Sequence, residues 1–263
     1  MSVYNGEAFL RESIESMLAQ TFTNFEFIII NDGSTDKTQE ILESYNDSRI
    51  LLIPQDNMGL TLSLNKGVDL SRGEYLARMD SDDISHPQRL EQQIKWLKAH
   101  PQYCAVASKV SCIDENGKKT SDWASDQSTI TAEEMRMKLP RINCIAHPSI
   151  MFRSDVIKTY LYNPLQPHSQ DYDLYLRLFS DGLKIGKIND TLLTLRLHSE
   201  SVTHTTVINS AGFKNIPVKK IYLKSRIFRD KKFTWFDFII FTRLIQEMIF
   251  FYKNTLFLKK NNL

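Results

Sequence analysis

The segment over 25–30 is continuously apolar and closes on Asn31-Asp32-Gly33-Ser34. Unbroken hydrophobicity of that length, ended by a turn sequence, predicts a strand buried on both faces. Such a strand needs helices to cover it, and the flanking sequence supplies them. Ahead of it, Phe9, Leu10, Ile14, Met17 and Leu18 recur at helical spacing, in a segment that ends before Thr21. Behind it, Asp36 reads as the cap of a helix running to Tyr45, with Glu40 near the capping position. A short strand over 50–53 is stopped by Pro54, Leu60, Leu64 and Val68 mark another helix, and 75–79 is a third strand. Strand, helix, strand, helix, strand predicts an α/β fold with a mostly parallel sheet covered on both faces.

A central strand usually precedes the first helix of such a sheet. Only about four residues are left for it here, at the low end of the usual 3–10. That strand is expected either to be short or to continue upstream of Met1. After Pro87 the pattern changes. A helix over 87–99 leads into apolar runs over 104–106 and 110–113, and Asn116-Gly117 stands where a hairpin turn belongs. This second half reads as mixed and more antiparallel, with a helix over 171–179 and two short strands within 184–197. From about 207 onward the chain reads as helical, basic and aromatic.

At 263 residues and 42% hydrophobic content, the chain can bury one large core and is too apolar to be disordered or collagen-like. Cys104, Cys112 and Cys144 are odd in number and lack CxxC spacing, as small buried hydrophobes in a reducing compartment would be. No basic start with an apolar run opens the chain, and no stretch of 18 uncharged apolar residues occurs. The sequence therefore reads as cytoplasmic.

Two strand ends carry chemistry. Met79-Asp80-Ser81-Asp82-Asp83 follows the third strand and precedes Pro87, a plausible first residue of a helix. Carboxylates this close repel one another unless a cation or water screens them, and a hard divalent cation such as Mg²⁺ or Mn²⁺ takes oxygen ligands of this kind. The carboxyl end of a strand is also where α/β sheets bind ligands. The competing reading has the acids favouring the dipole of the following helix. At the other strand end, Asp32 suits acceptance of a hydrogen bond from a nucleobase, and Gly33 suits close approach of the backbone. A plain Asx turn leading into Asp36 is the competing reading there. Both motifs are expected on neighbouring strands of one sheet.

The chain resembles the inverting nucleotide-sugar glycosyltransferases of family two, which have a GT-A fold. The resemblance runs in order through Ser2-Val3-Tyr4-Asn5-Gly6-Glu7, Ser13-Ile14-Glu15-Ser16, Gln20-Thr21-Phe22 and Ile30-Asn31-Asp32-Gly33-Ser34-Thr35-Asp36. It continues through Asn57-Met58-Gly59-Leu60, Asn65-Lys66-Gly67, Gly73-Glu74-Tyr75, Arg78-Met79-Asp80-Ser81-Asp82-Asp83, His86-Pro87 and Arg89-Leu90, with weaker similarity to about 205. It implies a catalytic domain over 1–206, divided into a nucleotide-binding half over 1–100 and an acceptor half over 101–206, with a helical extension over 207–263.

The resemblance also implies roles. Tyr4 and Glu7 would line the nucleotide pocket, Asp32 would hold the base, usually uracil, and Asp80 the ribose. Asp82 would hold Mg²⁺ or Mn²⁺ on the diphosphate, with His198 of Arg196-Leu197-His198-Ser199-Glu200-Ser201 approaching the same metal. Asp171 of Gln170-Asp171-Tyr172-Asp173 would be the catalytic base, with Gln170 where many members have Glu. Without the family, Asp171 reads as an acid at a helix start and His198 as a surface or hydrogen-bonded residue. His147-Pro148-Ser149 would lie toward the acceptor. The Q/R-x-x-R-W motif and membrane helices of processive polysaccharide synthases are missing, which implies one sugar per encounter. The implied partners are a nucleotide-sugar donor, UDP-linked, and a glycan or lipid-linked acceptor in bacterial surface polysaccharide synthesis, with no nucleic acid. An aspartate-dependent phosphohydrolase also places D-x-D after a strand, but continues it differently from Asp83-Ile84. A non-catalytic nucleotide-sugar-binding scaffold at a membrane is the remaining alternative.

The overall charge of +2 hides an asymmetry, because residues 210–263 carry twelve Lys/Arg against three Asp/Glu and leave 1–209 at −7. Aromatic and aliphatic side chains crowd 233–252, interrupted by Asp237, Arg243 and Glu247, which argues against a spanning helix. Two readings stand. In one, the tail lies on an anionic membrane, peripheral on its inner face, with Arg243 and Glu247 toward water. In the other, it packs on the catalytic domain or forms a homodimer.

Overall fold

Strand β2 (Phe27–Asp32) is buried along its whole length, as its unbroken apolar run requires. It pairs in parallel with β1 (Ser2–Val3) and with β3 (Ile50–Gln55) in a three-stranded sheet of order β1-β2-β3. The structure, a computed structural model, describes residues 1–120, 122–123, 129–166, 168–199 and 215–261, with side chains as far as 252. Helix α1 (Leu10–Leu18) sets Leu10, Ile14 and Met17 into one apolar cluster with Val3, Phe27 and Ile29. Helix α2 (Thr38–Glu43) adds Ile41 and Leu42 to it. Helix α3 (Leu60–Leu70) turns Leu64 and Val68 into a second cluster.

Pro54 does not end β3, contrary to expectation. The register continues through Asn31 opposite Pro54 and Asp32 opposite Gln55. β3 is an edge strand, where a missing N–H need not break a ladder.

The second sheet is mixed, in the order β4-β7-β6-β8-β5. Its strands are β4 (Tyr75–Ala77), β5 (Ile84–Ser85), β6 (Ala105–Asp114), β7 (Met151–Arg153) and β8 (Ile185–Leu197). All neighbours are antiparallel except β6 and β8. Asp32 and the acidic motif therefore follow strands of different sheets, not neighbours in one. The two-residue β1 makes no pairing with β4, and a groove of about 800 Å³ lined by Phe27, Ile28, Leu76 and Arg78 runs between the sheets. The two short strands expected within 184–197 are a single strand, β8. Shifts of register between Ser108 and Val110 let exposed Asn189 and Asp190 bulge outward without breaking it, while Thr191 stays paired with Lys109. The expected hairpin is present: Gly117, at φ +79, donates its N–H to the Asp114 carbonyl at 3.0 Å, and Ile113 bridges to Lys119.

Helix α4 (Arg89–Ala99) follows β5, and α5 (Ala132–Lys138) and α6 (Ser154–Tyr160) precede α7 (Gln170–Ser180). Every residue of α7 except Asp171 is buried. Against it lie α8 (Asn215–Lys224), a π-helical turn (Ser225–Arg229) and α9 (Trp235–Asn261). Val218, Tyr222, Phe236, Ile240 and Leu244 from this tail share one core with α7. Packing on the catalytic domain, one of the two readings of the tail, thus holds for one side of it. The three cysteines are buried and form no disulfide with one another. Among the described residues no helix is long and apolar enough to cross a membrane.

Candidate active site

The loop before α1 is fastened to the loop after β2. Asn5, at φ +51, accepts the Thr35 N–H on its Oδ1 at 2.8 Å and donates its own N–H to Ser34 Oγ at 3.0 Å. Glu7 Oε2 accepts the Lys37 N–H at 2.9 Å, and Glu7 N–H donates to Asp36 Oδ2 at 3.0 Å. Asp36 Oδ1 also accepts the Thr38 N–H at 3.0 Å, although the cap position of α2 is Lys37 rather than the expected Asp36. That helix is shorter than expected and ends at Glu43. Tyr4 is exposed beside this loop pair, free to stack on a ligand.

Asp32 is buried, and its carboxylate holds the next loop in place. Oδ1 accepts from Met58 N–H at 2.9 Å and Gln55 Nε2 at 2.7 Å, and Oδ2 from Gly59 N–H at 2.9 Å. Burial works against its ionisation, but these donors outweigh it and hold the carboxyl below its usual value. Gly33 has φ +76, and a Cβ there would stand 2.7 Å from Asn57 N. Only glycine fits where the two loops meet.

Helix α1 also carries the acidic motif. Ser13 Oγ donates to the Asp80 carbonyl at 2.9 Å, and Ser16 Oγ accepts the Ser85 N–H at 3.0 Å. Asp80, Asp82 and Asp83 bring ligand oxygens within 4.8 Å of one another. Asp80 is ion-paired with Arg78. Asp82 Oδ2 lies 3.0 Å from His198 Nε2, so the structure joins two residues 116 positions apart. Asp83 Oδ1 accepts the Arg196 N–H at 2.9 Å, while its buried Oδ2 has no hydrogen-bond partner among the described residues. Burial, and then the neighbouring acids, push the carboxyls of Asp82 and Asp83 upward. A hard oxygen donor set, crowded and with one buried oxygen unpartnered, fits a divalent cation. Ser199 closes the described part of the late motif, and Glu200 and Ser201 lie outside the described residues.

Asp171 stands in the first turn of α7, after Ser169 in the left-handed region at φ +54. Asn143 Nδ2 donates to its Oδ2 at 2.6 Å. Burial pushes the Asp171 carboxyl upward, opposed by hydrogen bonds from Tyr172 N–H and Asn143 and by the charge of Arg78. His147 is buried with its Nε2 2.8 Å from Tyr162 Oη, and burial, then Arg78, drive its pKa well down.

Arg78, Arg89, Arg196 and Asn143 had no role in the sequence reading beyond motif matches. Arg78 is buried, and its charge acts on Asp80, Asp83, Tyr162, His147 and Asp171. Arg89 lies beneath it, donating from Nη2 to the Arg78 carbonyl at 2.6 Å, and burial, then Arg78, press its pKa down to about 9. Arg196 clamps the acidic loop: besides its N–H on Asp83, its Nε donates to the Asp82 carbonyl at 3.1 Å and its guanidinium pairs with Glu12. The Arg196 guanidinium also lies 4.6 Å from the Phe9 ring, which in turn packs on His198 at 5.0 Å. A buried arginine directly beside an aspartate motif was the signal available for Arg78, while nothing local marked Asn143.

A parallel three-stranded sheet joined to a mixed sheet, with a carboxylate cluster after β4 and a partly exposed aspartate at the start of α7, makes up a GT-A fold. The chain belongs to glycosyl transferase family 2, whose family model matches residues 1–161. It is 35% identical over 202 residues to the glycosyltransferase MJ1057 of Methanocaldococcus jannaschii, covering 75% of this chain and 69% of that one. It is 32% identical over 206 residues to the O-antigen biosynthesis glycosyltransferase WbnJ of Escherichia coli, covering 76% and 79%. The fold is similar to that of S. aureus TarS 1–349 in complex with UDP-GlcNAc, with a TM-score of 0.71 at 18% identity over 94% of this chain and 70% of that one.

Proposed function

We propose that this chain transfers one sugar per encounter, with inversion, from a UDP-linked donor to a glycan or lipid-linked acceptor in bacterial surface polysaccharide synthesis. The observation that carries this reading is Asp171, the one residue of α7 that the fold leaves partly exposed. Its carboxylate is held by Asn143 and favoured by the charge of Arg78. Arg78 also pairs with Asp80 of the acidic cluster, so base and donor site share one buried cation. The relationship to WbnJ supports a polysaccharide acceptor, and the likeness to TarS with UDP-GlcNAc supports the donor class.

The acceptor hydroxyl attacks the anomeric carbon as Asp171 takes its proton. The bond from that carbon to the diphosphate breaks on the opposite face, so one displacement inverts the centre without a covalent enzyme intermediate, as in inverting glycosidases. Tyr4 and Glu7 flank the nucleotide, Asp32 holds the base, and Asp80 holds the ribose. Asp82 and His198 hold Mg²⁺ or Mn²⁺, which when bound offsets negative charge on the diphosphate. Arg196 keeps the acidic loop in register. The enzyme would work in the cytoplasm or on the inner face of the membrane.

The test incubates the protein with a panel of nucleotide sugars, with and without chelator, and follows release of the nucleoside diphosphate and the anomeric configuration of the product by NMR. Metal-dependent turnover with inversion is expected. Binding without turnover would favour a nucleotide-sugar-binding scaffold, and cleavage of phosphate monoesters a phosphohydrolase.

A further inference from the structure

Helix α9 is apolar on two opposite sides. Phe236, Ile240 and Leu244 face inward and are buried against the core of the catalytic domain. On the other side Trp235, Phe238, Phe241, Ile245, Ile249 and Tyr252 recur every three or four residues, all exposed, from 41% for Ile245 to 72% for Trp235. Trp235 and Phe238 stack at 5.1 Å, forming one end of a continuous stripe. A helix with apolar residues all round is ordinarily covered on every side, and an exposed apolar stripe of this length marks an interaction surface.

Charge identifies what covers it. Both acids of α9 up to residue 252 are withdrawn from the stripe. Asp237 is fully buried, accepting from Ser180 Oγ at 2.9 Å and from the Tyr222 hydroxyl, with the Arg226 Nε 3.6 Å away. Glu247 pairs with buried Lys219. Glu247 is thus spent on an internal ion pair and does not turn to water as the sequence reading expected. Four cations around the stripe, by contrast, are exposed. Exposed Lys220 shares an apolar groove of about 750 Å³ with Ile216, Pro217, Ile245, Met248 and Tyr252. Lys224 lies one helical turn further along α8, and Lys231 and Lys232 are exposed on the segment entering α9.

We propose that this stripe and its basic border dock on an anionic lipid bilayer, with the helix lying in the headgroup region and the catalytic domain held against the surface. Aromatic and aliphatic side chains beside lysines suit that boundary. A second copy of the chain fits less well, because a two-fold contact would set this basic border against itself. The proposal goes beyond the glycosyl-transfer reading and does not depend on it.

Co-sedimentation of the full chain with phosphatidylglycerol-containing vesicles, compared with pure phosphatidylcholine vesicles, tests the proposal. Binding only to the anionic vesicles is expected, reduced several-fold in 0.5 M salt, where screening is within a few ångströms. The triple variant Phe238→Ser, Phe241→Ser, Ile245→Ser and the pair Lys220→Glu, Lys224→Glu are each expected to lower the bound fraction at least tenfold, with circular dichroism and UDP binding unchanged. Failure of the wild type to bind anionic vesicles, or undiminished binding by either variant, would overturn the proposal. So would a wild-type dimer in light scattering that the apolar variant converts to monomer. UDP binding separates each of these outcomes from a failure of the glycosyltransferase reading.

Discussion

Asn143 donates from Nδ2 to Asp171 Oδ2 at 2.6 Å, across 28 residues of sequence. The pair sits at the accessible start of an otherwise buried helix, and it fixes both the orientation of the carboxylate and how readily that carboxylate ionises. Burial raises the Asp171 pKa, and Asn143 is among the groups that restrain the rise. A base works only when ionised, so activity is present above this pKa and lost as pH falls through it. The acid limb of kcat/KM is therefore expected to lie higher than for an ordinary aspartate. In Asn143→Ala it moves to still higher pH. A pH–rate profile of the two proteins checks this, and an unmoved limb would remove Asn143 from the mechanism.

Asp171→Asn keeps the shape of the side chain and removes its basicity. Turnover is expected to fall by roughly 10²–10⁴, the range for loss of a general base, with UDP-sugar affinity little changed. Steady-state kinetics together with calorimetric donor binding measure both. Turnover within a few-fold of wild type would place the base elsewhere.

Asp82→Asn removes one anion from the cluster formed with Asp80 and Asp83. Donor binding in the presence of Mn²⁺ is expected to weaken at least tenfold, while binding in chelator changes little. Isothermal titration with UDP, with and without the metal, tests the assignment. Equal metal dependence in both proteins would refute it.

Gly33→Ala places a Cβ 2.7 Å from Asn57 N at a backbone φ of +76. The strained conformation alone is expected to cost about 1–3 kcal/mol, measured by urea denaturation. The loop carrying Met58 and Gly59, which donate to Asp32, must shift, so UDP affinity falls as well. Wild-type stability and affinity in this variant would show that the loops do not meet as described.

Much of this protein was legible in the sequence because local physics set it. The apolar run that becomes β2, the helical spacing of α1 and α3, and the hairpin at Asn116-Gly117 each follow from side-chain periodicity or turn chemistry within about ten residues. The acidic motif and Asp32 stand out in the same way, whereas Asp171 stands out only through the family resemblance. Tertiary structure alone decided what depends on distant partners. It put β2 and β4 in separate sheets and carried β3 through Pro54, because pairing and edge position are set by neighbours rather than by propensity. It brought His198 to Asp82, Arg196 to Asp83 and Asn143 to Asp171. It also sorted the tail. Composition shows a helix rich in aromatics with scattered charges, but only packing against α7 and α8 determines that Asp237 and Glu247 turn inward to buried partners while Trp235 and Phe238 turn outward. Which face of a helix is covered depends on the surface that reaches it, and no periodicity within the helix contains that surface.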